Sequence, residues 1–255
     1  MAKTLKRFLV SGSLGNPDQK QKVHTISLTR EETHHLRDVL RIKEGGLCLL
    51  FDREGHEFVS RFERFLPEGR SEARILDPAP VQEEGLLKLT VAQAVPQDRK
   101  MDEIVRKSAE LGTFELIPLV TERTIVRMAK EQSRKAHERW ERIAEQTLKQ
   151  SRLSKAPKIS FPTSFDELCS RFSEYDQTFL LHPSPDAKSI RDCRPIQEGF
   201  TAHILLVIGP EGGFAPQEVE RAKTKGAQAI KMGSGILKTD TAFVAAASFF
   251  KMVYS

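Results

Sequence analysis

Two stretches of the chain join an apolar run to a glycine-rich loop and then to a helical pattern, and both carry side chains able to do chemistry. The first is Ile208-Gly-Pro-Glu-Gly-Gly-Phe214; the second is Ile230-Lys-Met-Gly-Ser-Gly-Ile-Leu-Lys-Thr-Asp-Thr-Ala242. A loop of this kind brings a ligand close to the backbone, here at Gly209, Gly212 and Gly213, around a rigid corner at Pro210. Phosphate is a poor match. A Walker loop needs a lysine and a Ser/Thr after its last glycine, a Rossmann fingerprint needs G-x-G-x-x-G, and neither is present. Glu211 would also repel a phosphate, so the loop suits a neutral, planar or cationic ligand better. A third loop, Leu181-His-Pro-Ser-Pro185, follows another apolar run. Three loops at the carboxyl ends of neighbouring parallel strands make a ligand crevice.

The elements that must hold these loops follow from periodicity. Leu86–Ala94, Leu116–Val120, Gln177–Leu181 and His203–Ile208 read as strands, and Lys100–Leu111, Lys130–Gln150 and Pro216–Lys225 as helices, stopped in two cases by Gly112 and Gly226. Alternation of this kind predicts an α/β domain, a parallel sheet covered by helices. The last helix, Thr241–Val253, is apolar nearly all round, with Phe243, Phe249, Phe250 and Met252 spread about it. It must be buried in the core or against another subunit. Thr239 or Asp240 is positioned to cap it.

Residues 1–82 read differently, as short strands and turns that predict a small β-barrel. Gly45–Phe51 and His56–Phe62 form a hairpin around Asp52-Arg-Glu-Gly55. One helix interrupts the strands. Thr29 and Glu32 form its capping box, and Leu36, Val39 and Leu40 its apolar stripe. A linker at residues 77–85 separates this domain from a second one at 83–255.

The net charge of +5 is unevenly placed: Arg127–Lys158 holds 10 basic and 4 acidic residues, whereas residues 161–255 hold 10 and 11. That surplus suggests a polyanionic partner, nucleic acid in particular. No apolar run is long enough to cross a membrane. The three cysteines, Cys48, Cys169 and Cys193, lack metal-ligand spacing and read as reduced thiols of a cytoplasmic protein.

Seven strings in order along the chain resemble the SPOUT RNA methyltransferases, and within them the RsmE type that methylates uridine N3 of 16S rRNA. They are Arg7-Phe8, "HHLRDVLRIKEGG" at 34–46, "KMDEIVRKSAELG" at 100–112, "IPLVTERT" at 117–124, "QSR" at 150–152, "IGPEGGF" at 208–214 and "ILKTDTA" at 236–242. The resemblance implies a PUA-like RNA-binding barrel at 1–82 and a SPOUT trefoil-knot methyltransferase domain at 83–255. It further implies a homodimer through the C-terminal domain and S-adenosylmethionine as cofactor. The substrate would be 16S rRNA, within the assembled small ribosomal subunit.

The cofactor contacts so implied are Leu181 and His182 in one loop, then Ile208, Gly209, Pro210, Glu211, Gly212 and Gly213 in the next. Met232, Gly233, Ile236, Leu237 and Thr239 complete them in the third. Glu211, Lys238 and Asp240 are the catalytic candidates. Arg7, Arg37, Arg41, Arg134, Lys135, Arg142 and Arg152 are the candidate RNA contacts. Where the family commonly reads "GPRILRTET", this chain has Gly235, Lys238 and Asp240; Lys238 keeps the charge of the arginine it replaces but not its planar fork. Ala215 stands where a capping serine is frequent. Two other readings fit the same residues: a SPOUT-fold RNA-binding protein of ribosome assembly without activity, and a SPOUT methyltransferase acting on tRNA or 23S rRNA.

Overall fold

The switch from short strands to alternating strands and helices divides the molecule. A computed structural model describes residues 5–15, 25–79, 87–98, 100–126, 128–148, 153, 155–193, 201–233 and 235–254. The chain falls into two units, Met1–Glu83 with Arg152–Lys155, and Glu84–Ser151 with Ala156–Ser255. Lys155 lies over Gly55, a turn glycine at φ +88° where an added Cβ would come within 2.6 Å of the lysine stem.

In the first unit, β1 (Lys6–Leu9), β2 (Thr25–Leu28), α1 (Arg30–His34), β3 (Leu47–Phe51), β4 (Glu57–Phe65) and β5 (Ser71–Pro78) follow in sequence. The strands form one sheet in the order β1-β3-β4-β5-β2, in which β1 and β3 are parallel and the other pairs antiparallel. Alternate residues point inward, so that Phe8, Leu28, Cys48, Leu50, Phe58 and Phe62 share a core with Leu36. The capping box of α1 is present, with Thr29 N–H donating to Glu32 at 2.7 Å. The expected stripe needs one correction. Val39 is 59% exposed, because a π-helical turn continues α1 over His35–Val39 and Leu40 N–H reaches His35 O at 2.9 Å. The wider turn carries Val39 off the inward face while Leu36 stays inside.

The second unit runs β6 (Leu87–Ala94), α2 (Lys100–Leu111), β7 (Glu115–Val120), α3 (Lys130–Leu148), β8 (Lys158–Ile159), β9 (Thr163–Ser164), α4 (Phe165–Ser170), β10 (Gln177–Leu181), β11 (Lys188–Ser189), β12 (Ala202–Ile208), α5 (Pro216–Thr224), β13 (Gln228–Lys231) and α6 (Thr239–Val253). The sheet order is β11-β13-β10-β12-β6-β7-β8, with β9 also on β7, and every pairing is parallel. Both faces are covered. Leu89, Val91, Phe179, Leu206 and Ile230 pack with Trp140 of α3 and Phe243, Ala247 and Phe250 of α6. Ala92, Ile117, Leu205 and Val207 pack with Leu168 of α4 and with Val219 and Ala222 of α5. Burial on both faces is why these strands read as unbroken apolar runs.

The structure separates the faces of α6 and corrects its cap. Phe243 and Phe250 are fully buried within the chain; the outward stripe is Val244, Ala245 and Met252. The N-cap is Lys238, without a side-chain hydrogen bond, and Thr239 is already helical and buried. Neither Thr239 nor Asp240 is therefore the cap.

Burial also pushes the thiols of Cys48 and Cys169 up, to about 12 and about 11. They stay protonated and are not nucleophiles. Among the described residues no helix is long and apolar enough to cross a membrane.

Candidate functional site

Because β13, β10, β12, β6 and β7 are parallel neighbours, the loops that follow them open at one edge of the sheet. The register sets three of them level. Leu181 pairs with both Ile208 and Ile230, and His182 N–H donates to Ile230 O at 2.9 Å. The fold thus brings together Leu181, His182, the segment Ile208–Gly213, and Met232 with Gly233. Leu181 and Met232 are half-buried beneath this edge, and Ile208 is buried. Further along the third loop, Ile236 is 93% and Leu237 40% exposed.

The three glycines of the first loop are not equivalent. A Cβ on Gly209 would sit 3.0 Å from the ring of Phe214, which is buried against Phe165. Gly213 holds φ +67°, and its N–H closes a turn onto Pro210 O at 2.9 Å. Gly212 has room, its nearest neighbours being Arg123 side-chain carbons at 3.7 Å and beyond. The left-handed geometry recurs at Gly233, φ +68°. The backbone is bare where a ligand would approach.

The catalytic candidates stand on the open side. Glu211 Oε1 lies 4.0 Å from Lys100 Nζ, both side chains about two-fifths exposed, so the pair contributes at most about 1 kcal/mol. Lys238 is exposed, and its carbonyl accepts from Ala242 N–H at 2.8 Å. Asp240, also exposed, lies in the first turn of α6, where the helix N-terminus favours a negative charge. Burial first, then Lys223, hold the His182 imidazole below its ordinary value, while Asp186 pulls the other way.

Sequence reasoning missed the residues that hold the glycine loop. Glu218 is buried, and its two oxygens accept Ala215 N–H at 2.9 Å and Glu122 N–H at 2.8 Å. It stands three residues after Ala215, the spacing of a capping box, and that signal was legible. Here the box is half built, since alanine offers no oxygen in return. Arg123 Nη1 donates to Gly212 O at 2.9 Å. At the carboxyl end of β6, Gln93 is fully buried and donates from Nε2 to Ala94 O.

The expected RNA contacts are mixed. Arg7 is engaged within the first unit: its side chain is 12% exposed, pairs with Glu57 at 2.6 Å and lies over the Phe51 ring at 4.2 Å. Arg37 is exposed but forked onto Asp38, and Arg41 is exposed at φ +52°. On α3, Arg134 pairs with Glu131 and Glu138, Lys135 with Glu131, and Arg142 donates to Glu138 O. The helix carries 5 basic and 4 acidic residues, so most of the basic surplus of this segment lies outside it. Arg152 lies outside the described residues.

Two other features lie apart from these loops. A depression of about 360 Å³ lined by Tyr175, Asp176, Gln177 and Gln228 sits at the amino ends of β10 and β13, the opposite edge of the sheet. Asp52, Glu54 and His56 cluster in the β3–β4 turn. The Asp52 oxygens there are already taken by the N–H groups of Leu14, Glu54 and His56 and by the His56 ring, which marks a turn and not a metal centre.

A model of the RNA methyltransferase domain matches residues 82–251, and one of the RNA methyltransferase PUA domain matches residues 28–64. The chain is 27% identical over 227 residues to ribosomal RNA small subunit methyltransferase E of Bacillus subtilis, covering 88% of each chain. It is 29% identical over 218 residues to the Synechocystis protein of the same name, covering 86% of this chain and 70% of that one. Among solved structures, a Legionella pneumophila methyltransferase in complex with S-adenosylmethionine superposes with a TM-score of 0.81 at 29% identity, covering 98% of each chain. Ribosomal RNA small subunit methyltransferase E from Neisseria gonorrhoeae, also bound to S-adenosylmethionine, gives 0.80 at 27% identity, again over 98% of each.

Proposed function

The chain belongs to the RNA methyltransferase family, and from that premise we propose that it transfers the methyl group of S-adenosylmethionine to N3 of a uridine in small-subunit (16S) ribosomal RNA. The observation that carries this reading is the level set of three loops at one parallel edge, in a chain that superposes over nearly its whole length on two S-adenosylmethionine complexes. The residues suit that cofactor. Bare backbone at Gly213 and Gly233, apolar Leu181 and Met232, and a 209–215 loop without a basic residue favour a nucleoside without phosphates.

The cofactor supplies a methyl group already activated on a sulfonium, so the chain's main task is alignment. N3 lies on the pairing edge of uracil, which requires the uridine to be unpaired or flipped out. It must also lose its proton, and Glu211 and Asp240 are the carboxylates at hand. Lys238, beside Asp240, offers a cation to the RNA backbone.

We place the phosphate contacts on Arg37 and Arg41 of the PUA-like unit, on Arg134, Lys135 and Arg142 of α3, and on Arg152. The stripe Val244, Ala245 and Met252 is the surface through which two C-terminal domains would pair. From β13 the chain passes β10 and β12 before α6 packs on β6, β12 and α2; this return is the proposed threaded segment of the trefoil knot. The proposed setting is the cytoplasm and the assembled small ribosomal subunit.

Mass spectrometry of 16S rRNA from a strain lacking this gene is expected to show one uridine without its N3 methyl group, restored by the wild-type gene. An unchanged modification pattern would overturn the reading. A pH dependence is also expected. Burial holds the His182 imidazole below its ordinary value, so it is neutral at pH 7 and becomes a cation among the cofactor loops only below the pH at which a free imidazole titrates. Calorimetry should show affinity for the cationic cofactor falling below that pH, and His182→Asn should remove the dependence.

A further inference from the structure

The glycine loop is held from a strand that does not pair with its own. β12 carries the loop, β6 lies between, and β7 ends in the turn Thr121-Glu-Arg-Thr124. That turn is internally fixed. Thr121 and Thr124 are both 2% exposed, Thr121 N–H donates to the Thr124 hydroxyl at 2.9 Å, and the two hydroxyls lie 2.9 Å apart. Its two middle residues reach across the end of β6. Glu122 N–H donates to buried Glu218, which also takes Ala215 N–H, and the Glu122 side chain accepts from Gln217. Arg123 donates to the carbonyl of Gly212 inside the loop. The loop is thus tied at two points, Gly212 and Ala215, to one rigid post.

We propose that Arg123 and Glu218 are positioning residues that hold the 209–215 loop in its cofactor-receiving shape from the Thr121–Thr124 turn. This rests on the reading of the loop as a S-adenosylmethionine site. Gly209, Gly212 and Gly213 give the loop the freedom to admit a ligand, and the same freedom lets it adopt other shapes. Two ties remove that freedom before the ligand arrives, which lowers the ordering cost of binding. Arg123 uses one N–H on one carbonyl, a task that a lysine ammonium can also do. Glu218 uses both oxygens, and a glutamine can replace only one of them; its NH₂ would face the other N–H.

The test is calorimetry of three ligands on wild type, Arg123→Ala, Arg123→Lys and Glu218→Gln, with thermal unfolding of each protein alone. The ligands are S-adenosylmethionine, S-adenosylhomocysteine and methylthioadenosine, the last of which lacks the amino-acid carboxylate. Arg123→Ala is expected to weaken all three by about the same factor, roughly tenfold, with little change in unfolding temperature because the side chain is exposed. Arg123→Lys should recover most of that loss, and Glu218→Gln should reproduce it. A loss confined to the two ligands with a carboxylate would make Arg123 a direct ligand contact and overturn the proposal, as would unchanged affinity in Arg123→Ala. Failure of the wild type to bind any of the three would instead overturn the site on which the proposal rests.

Discussion

Gly209→Val is expected to reduce S-adenosylmethionine affinity by at least about 100-fold, equivalent to roughly 2.7 kcal/mol, whereas Gly212→Val should change it only a few-fold. The two glycines are three residues apart in one loop, yet their surroundings differ. At Gly209 a Cβ alone would meet three atoms of the Phe214 ring between 3.0 and 3.3 Å, and the branched side chain adds two further carbons. Phe214 cannot withdraw, being 3% exposed in a core that includes Phe165 and Val219. The loop must move instead, and the level arrangement of the three loops is lost. Overpacking of this kind also costs about 1–3 kcal/mol of stability. At Gly212 a Cβ would make only ordinary contacts with Arg123 carbons at 3.7 and 3.8 Å, and its φ is not among the positive values. Calorimetry on both variants, alongside thermal unfolding, checks the contrast. Normal binding by Gly209→Val would show that the 209–215 loop does not shape the cofactor site.

Phe250→Asp is expected to prevent folding of the C-terminal unit, whereas Met252→Asp should leave a folded protein that no longer forms the proposed dimer. Phe250 is fully buried and packs on Phe179, with ring centroids 5.0 Å apart, and on Tyr254 at 5.9 Å. Removing a buried Phe side chain costs about 3–5 kcal/mol. A carboxylate without a partner adds its own desolvation, enough to exceed the stability of many domains. Met252 is 74% exposed on the outward stripe with Val244, so a charge there leaves the core intact. Circular dichroism reports the first outcome and light scattering the second. A folded, monomeric Phe250→Asp would show that this ring belongs to an interface after all, and a dimeric Met252→Asp would move the interface away from α6.

The sequence by itself determined the longer strands and helices of the second unit and the loops that follow them, but not the short β8, β9, α4 and β11. Periodicity placed Lys100–Leu111 and Gln177–Leu181 to the residue, because continuous apolar runs and glycine stops are local signals. It also identified which loops follow strands, and loops after parallel strands open at one edge. What it could not supply was register or depth. Leu181 opposite both Ile208 and Ile230 is a relation among three distant segments, written in no one of them.

Depth failed for the same reason at α6. A helix apolar on all sides gives no phase, so Phe250 and Met252 looked alike until the sheet beneath took one and left the other outside. The charge of α3 is a further case: Arg134 and Lys135 read as free cations, but their helical neighbours Glu131 and Glu138 lie one turn away and pair with them. The ties from Arg123 and Glu218 to the glycine loop were the least legible of all. They cross over an intervening strand, and only the order β12-β6-β7 brings a turn at 121–124 within hydrogen-bond reach of a loop about ninety residues further along the chain. Local pattern fixes what each segment is; the packing of the sheet decides which segments meet, and the chemistry of this site depends on that meeting.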